Sequence, residues 1–213
     1  MDKSANFWNR IAERYSKKPV ANEAAYQKKL KVTHEYLRPG MELLELGCGT
    51  GSTAIIHAPY VKHIRAIDIS SKMLEIAERK AKAQNIHNIT FECSSINELR
   101  VADQSVDVIL GLNILHLLEN KDEIIDQVFE MLKPGGLFIT STVCIGQSNK
   151  LTLFIKLIGP VGRLLGLMPK VCIFTTKDLK NSLSQAGFEI DYIWELEKDL
   201  VTFIVAKKTN KHS

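Results

Sequence analysis

The sequence predicts an α/β fold: a mostly parallel sheet with helices on both faces, finished by an antiparallel hairpin. Three observations carry that expectation. From Glu42 to Val143, short apolar runs alternate with helix-length amphipathic segments, the pattern of right-handed βαβ units. The run Glu42-Leu-Leu-Glu-Leu46 leads straight into Gly47-Cys-Gly-Thr-Gly51, a strand-to-helix turn with no side chain at three of five positions. Near the end of the chain, strand-like residues 188–196 and 200–206 are separated by too few residues for a helix, so they must pair antiparallel.

Taken in order, residues 6–16 place Phe7, Ile11 and Tyr15 at i, i+4 and i+8 with Trp8 beside them, which predicts a short amphipathic helix. A second helical pattern, about 24–37, stops at the turn signal Pro39-Gly40. The buried strand 42–46 and the glycine loop follow, then a short helix over 52–57 ended by Pro59. A strand over 63–69 precedes a strong helix over 72–85, with Ser70 or Ser71 as N-cap. Strands over 89–93 and 106–112, a helix over 121–132, the turn Lys133-Pro-Gly-Gly136 and a strand over 137–143 complete the alternation. Thr175-Thr-Lys-Asp178 has capping-box spacing and opens a helix that Gly187 closes.

The composition suits one α/β domain with its own core: 213 residues, 45% apolar and 24% charged. A formal charge of +4 is spread along the chain, with mild enrichment at Lys17-Lys18, Lys28-Lys29 and Lys207, Lys208 and Lys211. Without a dense basic block this reads as a solvated surface, not a nucleic-acid footprint. Cys48, Cys93, Cys144 and Cys172 form no CxxC pair and no zinc-ligand cluster, so reduced thiols, a cytoplasmic location and no metal are expected. The N-terminus lacks an apolar signal core, and export is not expected.

Glycines between a strand and a helix let a ligand reach backbone N–H groups. The dinucleotide fingerprint GxGxxG is longer by one residue than Gly47-x-Gly49-x-Gly51. Asp68, closing the next strand 17 residues beyond Gly51, is placed either to accept hydrogen bonds from ribose hydroxyls or to cap the following helix. Glu45 is an acid in an otherwise apolar strand. Beside a phosphate it would repel, whereas beside a sulfonium and an ammonium it would attract.

These residues resemble the class I S-adenosylmethionine-dependent methyltransferases of small-molecule type, similar to those of ubiquinone and menaquinone biosynthesis. Glu45-Leu-Gly-Cys-Gly-Thr-Gly51 looks like their first motif, Asp68-Ile-Ser-x-x-Met-Leu74 like their ribose-binding second strand, and Leu132-Lys-Pro-Gly-Gly136 like the turn before their fifth strand. The resemblance implies a Rossmann-like seven-stranded sheet and S-adenosylmethionine as cofactor, with S-adenosylhomocysteine as product. It implies that Gly47, Cys48, Gly49 and Gly51 form a backbone bed for the methionine part. Asp68 would hold the ribose, with Ile69 and Met73 on the adenine; Met73 also reads as an ordinary core residue. Where the family has an acid for the adenine amino group, this chain has Ser95, followed by Ile96. Asn113 matches a polar contact to the methionine end, and Tyr15 a lid residue over the cofactor. His116 reads either as a general base or as a structural histidine.

The organisation this implies is a single domain over 1–213: a helical lid (1–40), a cofactor-binding core (41–143), a substrate-cover insertion (144–174), and a last helix with the hairpin (175–208). Residues 151–168 are too interrupted, by Lys156, Gly159-Pro160 and Arg163, to span a membrane. They read as a broken apolar helix pair roofing an apolar acceptor, as a core or dimer contact, or as a peripheral membrane contact. Motifs for flipped-base methylation are absent, so a small-molecule acceptor is expected and nucleic acid is not. A monomer and a homodimer both remain open. Two alternatives stand beside the enzyme: a non-catalytic S-adenosylmethionine-binding protein, and an NAD-dependent oxidoreductase. The shorter glycine spacing and Glu45 argue against the latter.

Overall fold

Seven strands form one mixed sheet; numbered along the chain, they lie in the order third, second, first, fourth, fifth, seventh, sixth. The structure is a computed structural model that describes residues 3–164, 168–196 and 200–209. It divides into two compact units, Met1–Leu99 and Arg100–Ser213.

In the first unit, helices α1 (Lys3–Ser16) and α2 (Glu23–Tyr36) precede β1 (Glu42–Leu46), α3 (Ser52–His57), β2 (His63–Asp68), α4 (Ser71–Ala83) and β3 (Ile89–Cys93). The three strands are parallel, with Glu45 opposite Ala66 and Asp68 opposite Cys93. Strand β1 is buried from Leu43 to Leu46, as a continuous apolar run in a parallel sheet requires. Helix α4 begins where the Ser70 hydroxyl accepts from Met73 N at 3.1 Å, and it buries Met73, Leu74, Ile76, Ala77 and Ala81. Helix α1 lies on α4, with Ala12, Met73 and Ile76 forming a cluster flanked by Trp8 and Ile11.

The second unit holds β4 (Val106–Leu112), α5 (Lys121–Met131), β5 (Leu132–Val143), α6 (Asn149–Leu164), α7 (Thr176–Ala186), β6 (Phe188–Leu196) and β7 (Val201–Lys208). Strand β5 runs parallel to β4 and antiparallel to β7, and β6 is antiparallel to β7. The capping box at Thr175 and Asp178 is formed, and Gly187 ends α7 with φ of 101°.

Three expectations change. Lys133-Pro-Gly-Gly136 is an irregularity inside β5, where pairing jumps from Val106↔Leu132 to Val108↔Leu137 and Gly135 takes φ of 75°. Residues 149–164 form one helix carrying Pro160, not a broken pair: proline keeps a helical φ, and removing one N–H does not end the helix here. Residues 165–167 of that segment lie outside the described residues, as does Lys211. Lys208 is buried rather than part of a solvated tail, donating to the carbonyls of Phe129 at 2.6 Å and Leu132 at 2.9 Å.

Candidate functional site

The site begins where β1 ends. Gly47, Gly49 and Gly51 all have left-handed backbones, with φ of 67°, 54° and 69°, a run that residues with a Cβ adopt only at a cost. The glycines have different reasons to be glycine. A Cβ on Gly51 would sit 2.7 Å from the Ala77 Cβ and 3.1 Å from the Phe91 ring, so Gly51 lets α4 and β3 pack against the loop. A Cβ on Gly49 would meet nothing within 4 Å, so the backbone there borders open space. The Cys48 thiol is buried and its pKa is raised by burial, while Cys48 N donates to Ile67 O at 2.9 Å. Cys48 therefore ties the loop to β2 through its backbone. Gly51 N closes the turn onto Cys48 O at 3.0 Å.

Asp68 meets the loop from β2. One carboxylate oxygen accepts from Gly49 N at 2.8 Å and the other from Ser70 N at 2.9 Å. Burial raises its pKa, and the backbone donors Ser70, Gly49 and Ile69 pull it back. Capping of α4 falls to the Ser70 hydroxyl, while the Asp68 carboxylate holds the loop.

Glu45 is 3% exposed, and its Oε2 has no hydrogen-bond partner among the described residues. Burial first, then the charge of Asp68, push its pKa up to about 8. A carboxyl oxygen sealed without a partner is costly. An incoming cation with hydrogen-bond donors would relieve that cost, while a phosphate would add repulsion.

Two nearby residues carried no signal in the sequence. The Tyr26 phenol hydrogen-bonds Thr53 and feels the charge of Glu45, and burial raises its pKa. Lys80, one turn beyond Ile76 on α4, donates to Thr50 O at 3.0 Å and Ser52 Oγ at 2.6 Å, fastening the exit of the glycine loop.

Tyr15 is 48% exposed at the end of α1, and its phenol pKa is raised by burial and then by Asp68. Asn9, also unforeseen, anchors α1 beside Asp68: its Oδ1 accepts from Ser70 Oγ at 2.8 Å and Lys72 N at 3.1 Å. Met73 is 2% exposed beneath α1, so its side chain serves the helix contact in this structure. Ile69 is half-buried and Ile96 buried. The Ser95 hydroxyl donates to Glu98 Oε2 at 2.7 Å and accepts from Glu98 N at 3.2 Å, closing a turn after β3.

In the second unit, Asn113 follows β4 with φ of 57° and donates its N–H to Ser141 O at 2.6 Å. Its side chain is exposed. His116 pairs Nδ1 with Thr142 Oγ1 at 3.2 Å, and its carbonyl accepts from Cys172 N at 2.7 Å. Burial lowers its pKa to about 4, so the ring is neutral at neutral pH. Among the described residues there is no cluster of three or more metal-ligating side chains, and no helix long and apolar enough to cross a membrane.

A parallel sheet ending in the antiparallel pair β7-β6, with a glycine loop after β1 and an acid closing β2, is the class I methyltransferase fold. Residues 37–198, more than half of the chain, match the methyltransferase domain family, and the chain belongs to it. It is 26% identical over 80% of its length to an arsenite methyltransferase of Halobacterium salinarum, of which it covers 46%. It is 28% identical over 70% of its length to a demethylmenaquinone methyltransferase of Symbiobacterium thermophilum, covering 61% of that protein. The chain thus spans about half the length of these curated relatives. Among solved structures, the YcgJ protein of Bacillus subtilis superposes with a TM-score of 0.72 at 16% identity, over 86% of this chain and 99% of that one.

Proposed function

We propose that the β1–loop–β2 end of the first unit binds S-adenosylmethionine and that the protein transfers its methyl group to a small, apolar acceptor. The observation that carries this reading is Glu45, buried with an unpartnered oxygen beside three left-handed glycines. Its carboxylate would receive the ammonium of the methionine part, while the open face of Gly49 lets the ligand lie against the backbone. Asp68, already oriented by Gly49 N and Ser70 N, would accept the two ribose hydroxyls. Ser95, Ile96 and Ile69 are the candidates for the adenine side, Cys48 and Gly47 for the loop bed, and Tyr15 for cover. The domain roles follow: lid (1–40), cofactor core (41–143), substrate cover (144–174) and closing hairpin (175–208).

The bound cofactor supplies a sulfonium whose methyl group is the electrophile. The chain's task is then positioning and exclusion of water, for which oriented proximity can supply about 7 kcal/mol or more. No general base is required for an acceptor that is already nucleophilic, which leaves His116 free to act structurally through Thr142. Support for an apolar acceptor comes from the name of the demethylmenaquinone relative.

Calorimetric titration with S-adenosylhomocysteine, with NAD as control, tests the cofactor. Binding that Asp68→Ala abolishes is expected; NAD binding without S-adenosylhomocysteine binding would overturn the reading. A panel of methyl acceptors then tests the reaction. Turnover on apolar compounds is expected, and turnover confined to small polar ones would contradict the acceptor class. Cofactor binding without turnover on any compound would favour a non-catalytic sensor.

A further inference from the structure

Helix α6 exposes an apolar face that the methyl-transfer site does not explain. Leu153, Phe154, Leu157, Ile158 and Val161 are each between 45% and 68% exposed. They fall at i, i+1, i+4, i+5 and i+8, a single stripe of a helix. Five of the eight large apolar side chains found exposed among the described residues are therefore gathered on one helix, whereas scattered ones would need no explanation. Beside the stripe the helix is enclosed: Gly159 and Gly162 are buried, and a Cβ on Gly162 would lie 2.9 Å from the Met168 sulfur. The start of the helix is fixed by Leu151 N donating to Ser148 Oγ and Thr152 Oγ1 donating to Ile145 O.

The segment that carries this face has charge of one sign. Between Glu130 and Asp178 the sequence contains no acidic residue, yet it contains Lys133, Lys150, Lys156, Arg163, Lys170 and Lys177. Lys133 is paired with Asp107 and Lys170 with Glu119. Lys150 and Lys156, on α6 itself, are exposed and take part in no ion pair among the described residues.

We propose that the outer face of α6 docks the protein onto an anionic lipid surface, with the apolar stripe entering the interface and Lys150 and Lys156 meeting headgroup phosphates. An exposed apolar stripe bordered by lysines has the chemistry of an interfacial helix, and a 16-residue helix holding Pro160 lies on a bilayer rather than crossing it. A second copy of the chain fits less well. It would set one acid-free, basic segment against another, and the stripe is far short of the roughly 20–30 residues a side of a stable dimer. This inference stands apart from the identity of the acceptor.

Vesicle co-sedimentation of the full chain tests it, using phosphatidylcholine alone and equal parts phosphatidylcholine and phosphatidylglycerol. Binding to the mixed vesicles only, weakened by salt, is expected. Phe154→Ser with Leu157→Ser should abolish it at an unchanged melting temperature. Lys150→Gln with Lys156→Gln, which leaves the apolar stripe intact, should weaken it about thirtyfold. Absence of binding to mixed vesicles, equal binding to both kinds, or lysine variants that bind as tightly as the parent would each overturn the proposal. So would a lipid-free dimer that the Phe154 and Leu157 substitutions convert to monomer.

Discussion

Glu45 and His57 are both sealed from solvent, at 3% and 0% exposure, and both carry polar side-chain atoms without partners among the described residues. Their surroundings differ. Glu45 stands two residues before a loop of left-handed glycines in which Gly49 borders open space, and Asp68 is close enough to raise its pKa. Around His57 the contacts are aromatic rings, although a cavity of about 470 Å³ lined by Gln27, Leu30, Lys31, His34, Glu35 and Ile56 opens beside His34. The His34 ring meets it edge-on at 4.9 Å and itself stacks on Tyr60 at 3.9 Å. An unpartnered buried group beside an open glycine loop is a ligand position; one packed against rings is a cost that packing offsets. Each is driven toward its neutral form, so the two move in opposite directions, Glu45 up to about 8 and His57 down to about 3.

The comparison breaks most readily at Asp68. Asp68→Ala should lower S-adenosylhomocysteine affinity by about 100-fold or more, because two charge-assisted hydrogen bonds are lost. His57→Leu should change it less than about twofold, since its ring packs on His34 and no hydrogen bond ties it to the glycine loop or Asp68. Equal losses in the two variants, read by calorimetry, would erase the distinction.

The glycines sharpen it next. Gly51→Ala should cost about 2 kcal/mol of unfolding free energy, from left-handed strain and the 2.7 Å approach to Ala77. Gly49→Ala should cost about 1 kcal/mol, from strain alone, while occupying the space reserved for ligand. Denaturant unfolding beside affinity measurements separates the two: the first variant is chiefly a stability defect, the second chiefly a binding defect.

Acid titration of stability gives the smaller effect. His57 has a folded pKa of about 3 against an ordinary 6.5, so the unfolded chain takes up the proton first. The stability is present above pH 6.5 and is lost as pH falls toward 3, by at most about 1.4 kcal/mol per pH unit. His116, lowered to about 4, adds a loss of the same sign. His57→Leu should therefore flatten the acid limb of the stability curve without removing it; an unchanged limb would mean that His57 is not held neutral.

The sequence made four of the seven strands legible to the residue, while β5 begins at Leu132, five residues before the expected 137. For β1, β3, β4 and β6, apolar runs bounded by turn residues coincide with the observed limits. The glycine loop, Asp68 and Glu45 were visible because residue types that disfavour a strand end or an apolar core stood there anyway. What stayed hidden depended on partners distant in the chain. The burial of Lys208 needs the carbonyls of Phe129 and Leu132, and Lys80 becomes a loop clamp only when α4 returns over Thr50. The separate duties of Gly49 and Gly51 show only in what a Cβ would strike. Pro160 looked like a break because proline's penalty is local, whereas α6 runs on through it to Leu164.

The central claim is that Glu45 receives the cationic end of the cofactor. In the free protein its pKa of about 8 leaves it mostly protonated at pH 7, so binding an ammonium must ionise it. Calorimetric affinity for S-adenosylhomocysteine should rise about tenfold from pH 6 to pH 7, about fivefold more to pH 8, and then level off. Glu45→Gln should bind weakly and without that slope. A flat profile for the parent protein, or a Gln variant that matches it in affinity and slope, would contradict the account.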